Sequence, residues 1–455
     1  MTGTALSGNK YSEYPEYKES GVEWLGNIPT TWIKAKFTHY VKIRHGYQFR
    51  EHDFVDDGAK IVKITQLHPS GFLDLNNCSF VLESRVENFQ NILIKEKDIL
   101  MCLTGGTIGK IIRVTKVDEP LLQNYRVGHF SSANDIIIDD FVFYLMSSSV
   151  VYDQINFLVR ETGQPNIGME DFGDMSICIP SPDEQHKIAD FLDHETAKID
   201  TLIAKQEKLI DLLKEKRQAV ISHAVTRGLS SNTPMKDSGI EWLGEAPEHW
   251  VVSHMDYVLN AIGDVDHYMP KSADTGIPYV MTGDLTEFAS SINFEDCKQV
   301  CRKDYLKLSK KIKSSQGDVI MARYATIGTA SYIDVDREFL VSYSCVTIKP
   351  NPSKCLGLYL FYYFKSHAFT QGIRSQVNSN TQDNVGVNDL KKVKVVLPPL
   401  TEQLNIIEYL QSIICKLDSL SKNAQLAINL MKERKTALIS AAVTGKIDVR
   451  NWLKH

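Results

Sequence analysis

The phrase SGVEWLGNIPTTW at residues 20–32 returns as SGIEWLGEAPEHW at residues 238–250. Gly21, Glu23, Trp24, Leu25, Gly26, Pro29 and Trp32 all recur at the step of 218 residues that separates Lys18 from Lys236. Two tryptophans repeated in register are not chance, so the chain is a tandem repeat of about half its length.

The same step operates late in each half. IPSPDEQHKIADFLD, from Ile179, aligns with LPPLTEQLNIIEYLQ, from Leu397, matching Pro180, Glu184, Gln185, Ile188 and Leu192 to Pro398, Glu402, Gln403, Ile406 and Leu410. KEKRQAVISHAVT, from Lys214, faces KERKTALISAAVT, from Lys432. Between these anchors the likeness is weaker but ordered: FVFYLMSSS faces YLFYYFKSH, Gln164 and Asn166 face Gln382 and Asn384, and KDILMCLTGGTIG faces GDVIMARYATIG. Each half is one unit with matched ends and a diverged middle.

In the middles, short runs rich in Val, Ile, Phe and Tyr alternate with Gly, Asp and Asn clusters, and one helical patch stands out in each. This predicts α+β domains. After each Pro-containing strand end the period changes to that of a long helix. Leu192, Ile199, Leu202, Leu209, Leu213 and Val220 in the first, and Leu410, Ile413, Leu417, Leu420, Ala424, Ala427, Met431 and Leu438 in the second, follow three- and four-residue steps. Ile203, Ile210, Ile414 and Ile428 flank these seams. Neither helix alone can hide its apolar face, so the two are expected to pair as an antiparallel coiled coil, leaving the flanking residues for a partner. The expected division is a first domain over 1–180, a helix over 181–230, a second domain over 231–397 and a helix over 398–455.

At 455 residues, with 43% hydrophobic and 24% charged residues, the chain has the composition of a soluble multidomain protein. The apolar run LYLFYYF at residues 358–364 is far short of a membrane span, and the polar N-terminus is not a secretory signal, so a cytoplasmic location is expected. The eight cysteines lack zinc-ligand spacing and are expected to be reduced and mostly buried. A net charge of −5 leaves room for one basic face.

LTGGTIGK at residues 103–110 fails as a phosphate loop: Thr104 stands where the first glycine belongs and Ile111 where a magnesium-binding hydroxyl belongs. PDEQHK, from Pro182, suggests a nuclease motif, but its copy is PLTEQL; acidic residues in a helix's first turn are favoured by the macrodipole and free N–H groups. No dinucleotide fingerprint or zinc helix is present, and no catalytic or metal site is expected.

Binding chemistry remains. KQVCRKDYLKLSKKIK, from Lys298, gathers seven cations against Asp304, a composition suited to phosphates. Arg44, Tyr47, Gln48 and Arg50 surround a glycine turn, and Arg and Gln match guanine and adenine edges. The candidate DNA contacts are these four with Thr104, Lys110, Gln164 and Asn166 in the first half, and His267, Lys271, Lys303, Lys307, Lys310, Arg323, Tyr324, Gln382 and Asn384 in the second.

The repeated SG(V/I)EWLG phrases, the TIG turns at Thr107 and Thr326, QPNIG and QDNVG, and the PSPDEQHKI and PPLTEQLNI helix starts, in this order and twice over, resemble the specificity subunit of type I restriction-modification systems. The resemblance covers nearly the whole chain. It implies two target recognition domains, each reading half of a bipartite site in double-stranded DNA, joined by two long helices with internal pseudo-twofold repetition. It further implies that the helices dock two adenine methyltransferase subunits. S-adenosylmethionine would bind those partners, and ATP with Mg the restriction subunits, leaving this chain without a cofactor or an activity. A coiled-coil scaffold and a DNA-binding protein outside restriction-modification are the alternatives. The two opening segments, RHGYQFRE and AIGDVDHYMP, scarcely match, so no base contact transfers between halves.

Overall fold

The computed structural model describes residues 11–68, 71–162, 166–324, 328–376 and 385–453. Gln164, Gln382 and Asn384, and Thr326 of the second TIG turn, lie outside them. The chain divides into two compact units, residues 1–206 with 426–455, and residues 207–425. Each unit thus takes part of both long helices.

The first unit opens with the hairpin β1 (Tyr17–Glu19) and β2 (Asn27–Pro29), then β3 (Ile33–Lys36), β4 (Val41–His45), β5 (Ala59–Val62), β6 (Ser79–Val81), β7 (Ile99–Cys102), β8 (Ile111–Arg113), β9 (Leu121–Gln123) and β10 (Val127–Ser132). Helices α1 (Asp139–Met146) and α2 (Ser149–Thr162), strand β11 (Ser176–Ile179) and the long helix α3 (Pro182–Arg227) follow. An antiparallel sheet β4-β10-β7-β8 forms the centre, with a three-stranded sheet β6-β5-β9 beside it and the pair β11-β3 leading into α3.

The second unit repeats this order through β12 (Met235–Asp237), β13 (Glu245–Pro247), β14 (Val251–His254), β15 (Leu259–Gly263), β16 (Ile277–Val280) and β17 (Lys298–Val300). It gains a short helix, α4 (Arg302–Leu308), before β18 (Val319–Ala322), β19 (Ala330–Tyr332), β20 (Leu340–Val341) and β21 (Cys345–Pro350). Then come α5 (Gly357–Phe364), α6 (His367–Gln376), α7 (Val387–Lys392), β22 (Lys394–Leu397) and α8 (Leu400–Val443). The sheets β15-β21-β18-β19, β17-β16-β20 and β14-β22 match those of the first unit strand for strand. The sequence repeat is therefore a repeat of an α+β fold.

The matched ends of the repeat are the joints between domain and helix. Trp32 is fully buried and donates its indole N–H to Glu184 Oε1 at 3.1 Å, and Tyr14 donates to the same oxygen. Trp250 does the same with Glu402 Oε2 at 2.6 Å, and His249 supplies the second contact at 2.7 Å. Glu184 and Glu402 do lie in the first helical turn, but their side chains anchor a domain rather than cap the helix. Gln185, wholly buried, accepts from Ile138 N at 2.9 Å and donates to Ile136 O at 2.7 Å and Pro180 O at 3.0 Å. Gln403 repeats the triad with Leu356 N, Lys354 O and Pro398 O. The glutamine amide thus satisfies buried backbone groups that the strand-to-helix junction would otherwise orphan.

The far end of each long helix returns to a domain by the same means. Ser440 Oγ accepts from Ser149 N at 2.8 Å in the first unit, and Ser222 Oγ from His367 N at 2.9 Å in the second. Gly445 follows α8 with φ +70, and a Cβ there would sit 2.4 Å from Pro29 Cδ, so glycine is required on both counts. These contacts explain why Trp, Pro, Glu, Gln and the IS-AVT ends recur.

Within each unit the helices pack antiparallel. In the first, Lys187 Nζ reaches Arg450 O and Asp200 pairs with Lys435 at 2.7 Å. In the second, Arg217 pairs with Asp418 at 3.4 Å, while Ile221, Ala224 and Val225 share a core with Ile406, Leu410 and Ile414. The seam differs in phase from the sequence expectation. Leu192, Ile199, Leu213, Leu410 and Leu417 are buried and Met431 is half-buried, but Leu202, Leu209 and Leu420 are 48%, 41% and 52% exposed. Ile203 and Ile210 turn inward in place of Leu202 and Leu209, and Ile414 and Ile428 are buried. In Leu202-Ile203 and Leu209-Ile210 both members satisfy three- and four-residue spacing between Ile199 and Leu213, and packing selects the isoleucines, Ile203 lying against the core of the first unit. The residues left exposed beside the seam are therefore the leucines.

Candidate nucleic-acid interface

The central sheet of the first unit ends in a cleft. In the first unit β9 and β10 are joined by Asn124, Tyr125 and Arg126, and the backbone pairs Leu103 N to Arg126 O at 3.0 Å and Ile167 N to Leu103 O at 2.9 Å. Between these segments lies an open cleft of 450 Å³ bounded by His45, Thr104, Tyr125, Arg126 and Asn166, with Leu103 and Ile167 in its floor. The Thr104 hydroxyl is buried with no hydrogen-bond partner among the described residues. Arg126 is exposed; its Nε donates to Tyr125 Oη at 2.7 Å and its guanidinium lies 5.3 Å from the Tyr125 ring centroid. Tyr47, 44% exposed, rests on Phe49 and Phe89 and lies beside Asn124. Gly46 is required here, because a Cβ would fall 2.0 Å from Gln123 O.

The second unit builds the same place differently. Arg323 N bonds Ser344 O at 3.1 Å and Val385 N bonds Arg323 O at 3.1 Å, so Arg323 occupies the position of Leu103, and Ser344 that of Arg126. Arg323 is only 7% exposed; its Nε donates to Val385 O at 2.9 Å and it pairs with Asp264. Lys311 reaches Asp264 at 3.0 Å, and His267, within 3.4 Å of it, stacks on Tyr343 at 5.1 Å between centroids. Burial opposes the charge of Asp264, but Lys311 and Arg323 outweigh it and hold its carboxyl below the usual range.

The sequence candidates sort accordingly. Arg44 is half-buried, bonded to Gln123 Oε1 at 3.1 Å and 3.9 Å from Asp98, and Lys110 is tied to Leu67 O at 2.8 Å. Arg44, Lys110 and Arg323 therefore hold the fold, because each cation already has an acceptor in the chain. Tyr47, Gln48, Arg50 and Asn166 are exposed, Tyr324 is half-buried, and His267 and Lys271 are exposed. In the basic segment, Arg302 and Lys313 pair with Glu338 and Lys311 with Asp264, whereas Lys303, Lys307 and Lys310 are exposed, Lys307 over the Tyr268 ring at 5.0 Å. Sequence reasoning missed Tyr125, Arg126 and Tyr343. Their only sequence signal is an aromatic residue between two strands at the repeat step of 218.

All eight cysteines are free thiols, and Cys102, Cys178, Cys297, Cys345 and Cys355 are buried; burial alone pushes the Cys355 thiol up to about 12, far from a reactive range. Among the described residues no group of three or more His, Cys, Asp or Glu side chains is placed to hold a metal ion, and no helix is long and apolar enough to cross a membrane.

The chain is similar to the EcoKI specificity subunit of Escherichia coli (strain K12), 21% identical over 93% of this chain and 90% of that one, and to the MjaVIII specificity subunit of Methanocaldococcus jannaschii, 27% identical over 47% of this chain and 49% of that one. Among solved structures, a chain from a study of type I R-M complex assembly and conformational transition superposes over 91% of this chain and 98% of its own, with a TM-score of 0.65 at 14% identity. The HsdS subunit from Thermoanaerobacter tengcongensis does so over 94% and 100%, with a TM-score of 0.50 at 15% identity. The family model for the type I restriction modification DNA specificity domain matches residues 42–211 and again 247–429. Because that match takes in most of the chain, once in each copy of the repeat, the chain belongs to the family of type I restriction-modification DNA specificity proteins.

Proposed function

We propose that this chain is the sequence-reading, non-catalytic subunit of a cytoplasmic type I restriction-modification complex. Each recognition domain reads one arm of a split site in double-stranded DNA. The observation that carries this reading is the contrast within the repeat. The Trp, Glu and Gln that join each domain to its helix recur in both copies, while at the sheet ends Leu103 and Arg126 of the first unit are replaced by Arg323 and Ser344 in the second. Duplicate scaffolds bind duplicate partners; different clefts read different bases.

The helices support the docking role. Leu202 recurs as Leu420 and Leu212 as Leu430 at the repeat step, and all four are 47–55% exposed outside the seam. Each unit thus offers one apolar pair, Leu202 with Leu430 or Leu212 with Leu420, suited to two copies of one methyltransferase subunit. S-adenosylmethionine would sit on those subunits, and ATP with Mg on the restriction subunits.

The test is to express the chain with its methyltransferase partner and map methylated adenines. A split motif with one methylated adenine in each arm is expected. One continuous motif, or methylation by the chain without a partner, overturns the proposal.

A further inference from the structure

We propose that Arg126 is the guanine-reading residue of the first recognition domain, and that the second domain reads its arm without an arginine at that position. This assignment rests on the DNA-reading function proposed above and adds a specific residue and base to it.

Arg126 is the exposed cation of the first cleft. Tyr125 orients it, accepting from Nε at 2.7 Å and backing the guanidinium with its ring. Among the described residues the two terminal nitrogens of Arg126 have no protein acceptor. An arginine fixed through Nε presents its end-on pair of N–H donors, the arrangement that matches O6 and N7 of guanine in the major groove. Its neighbours fit a base edge rather than a bare phosphate. The cleft is 450 Å³, has an apolar floor of Leu103 and Ile167, and carries the exposed Asn166 on its rim. Thr104 stands in its wall with a buried hydroxyl that no described residue satisfies.

The second unit lacks this device. The equivalent of Arg126 is Ser344, and the arginine has crossed the backbone pair to position 323. There it is buried, bonded to Val385 O and paired with Asp264. An arginine so held has no free donor pair for a base. The exposed groups in its place are His267, stacked on Tyr343, and Tyr268 under Lys307. The two arms are therefore read by different chemistry at the same point of the same fold.

The experiment uses the full chain in complex with its methyltransferase partner. The split motif of the wild type is mapped first, and binding is then measured to duplexes in which each base pair of both arms is replaced in turn. Arg126→Ala is expected to erase the preference at one G·C pair of one arm, a preference of about 5- to 150-fold, leaving the other arm as in the wild type. Arg126→Lys, which keeps the charge but not the fork, is expected to retain general affinity and lose most of that preference. Equal weakening of all duplexes with a shallower salt dependence would make Arg126 a phosphate contact and overturn the assignment. So would unchanged specificity, or altered specificity in both arms. A wild-type complex that methylates no split motif overturns the functional proposal itself, whereas a split motif indifferent to Arg126 overturns this assignment alone.

Discussion

Replacing Gln185 by leucine removes the centre of the joint between the first domain and α3 while keeping side-chain volume. Three hydrogen bonds vanish, to Ile138 N, Ile136 O and Pro180 O, around a side chain that is itself wholly buried. Each backbone group left without a partner costs about 1–3 kcal/mol, and the extra apolar surface buried by leucine returns about 1–2 kcal/mol. The net loss is about 3 kcal/mol, a large part of a domain's usual 5–15 kcal/mol. The assay is hydrogen exchange of the full chain, followed by mass spectrometry. Peptides covering residues 136–146 and 182–192 should exchange about 100-fold faster, since about 1.4 kcal/mol corresponds to a factor of ten. Peptides covering 354–364 and 400–410 should not change. Gln403→Leu should give the mirror pattern. A loss below about 1 kcal/mol, or equal acceleration in both units, would refute the view that each glutamine holds its own joint.

Leu202→Asp with Leu430→Asp should leave the melting curve of the chain within about 0.5 kcal/mol of wild type, because both are surface positions, yet remove one of two methyltransferase subunits in sedimentation velocity; a complex that keeps both shows the leucines are not the docking surface. Asp264→Asn should cost about 3 kcal/mol at neutral pH by stranding the buried Arg323. Because the folded carboxyl titrates below its unfolded value, its contribution is complete above about pH 4 and lost as pH falls through the folded value; the variant should lack this limb of the acid-unfolding curve of residues 207–425, and parallel curves from pH 7 to 3 would contradict the pairing. Changing Lys303, Lys307 and Lys310 together to alanine should weaken binding to all duplexes alike and lower the slope of log K against log salt by about 2.7, at 0.9 per phosphate; a change confined to one base pair would make them base readers instead.

The repeat made the architecture legible, because Trp32, Glu184, Gln185 and their copies act locally at one joint, and a contact of fixed geometry demands fixed residues. The seam was legible as a seam but not in phase, since the Leu-Ile doublets offer two stripes of equal spacing, and only packing against the second helix selects one. Charge misled at Arg44, Lys110 and Arg323. Whether a cation is free depends on acceptors such as Gln123, Leu67 O and Asp264, which lie 43–79 residues away in sequence and arrive through strand pairing. Tyr125 and Arg126 were hidden for the same reason: a turn between two strands shows no period, and its importance comes from the neighbours that β7 and Ile167 bring to it.

The joint formed by Trp32, Glu184 and Gln185, copied as Trp250, Glu402 and Gln403, works as a standard socket. Everything that fastens a domain to the helices is written in residues that the reading cleft does not use. A domain from a relative that carries the same plug could enter either position without disturbing the core of the other. New target sequences can then arise by exchange of whole domains, with no need to rebuild the assembly.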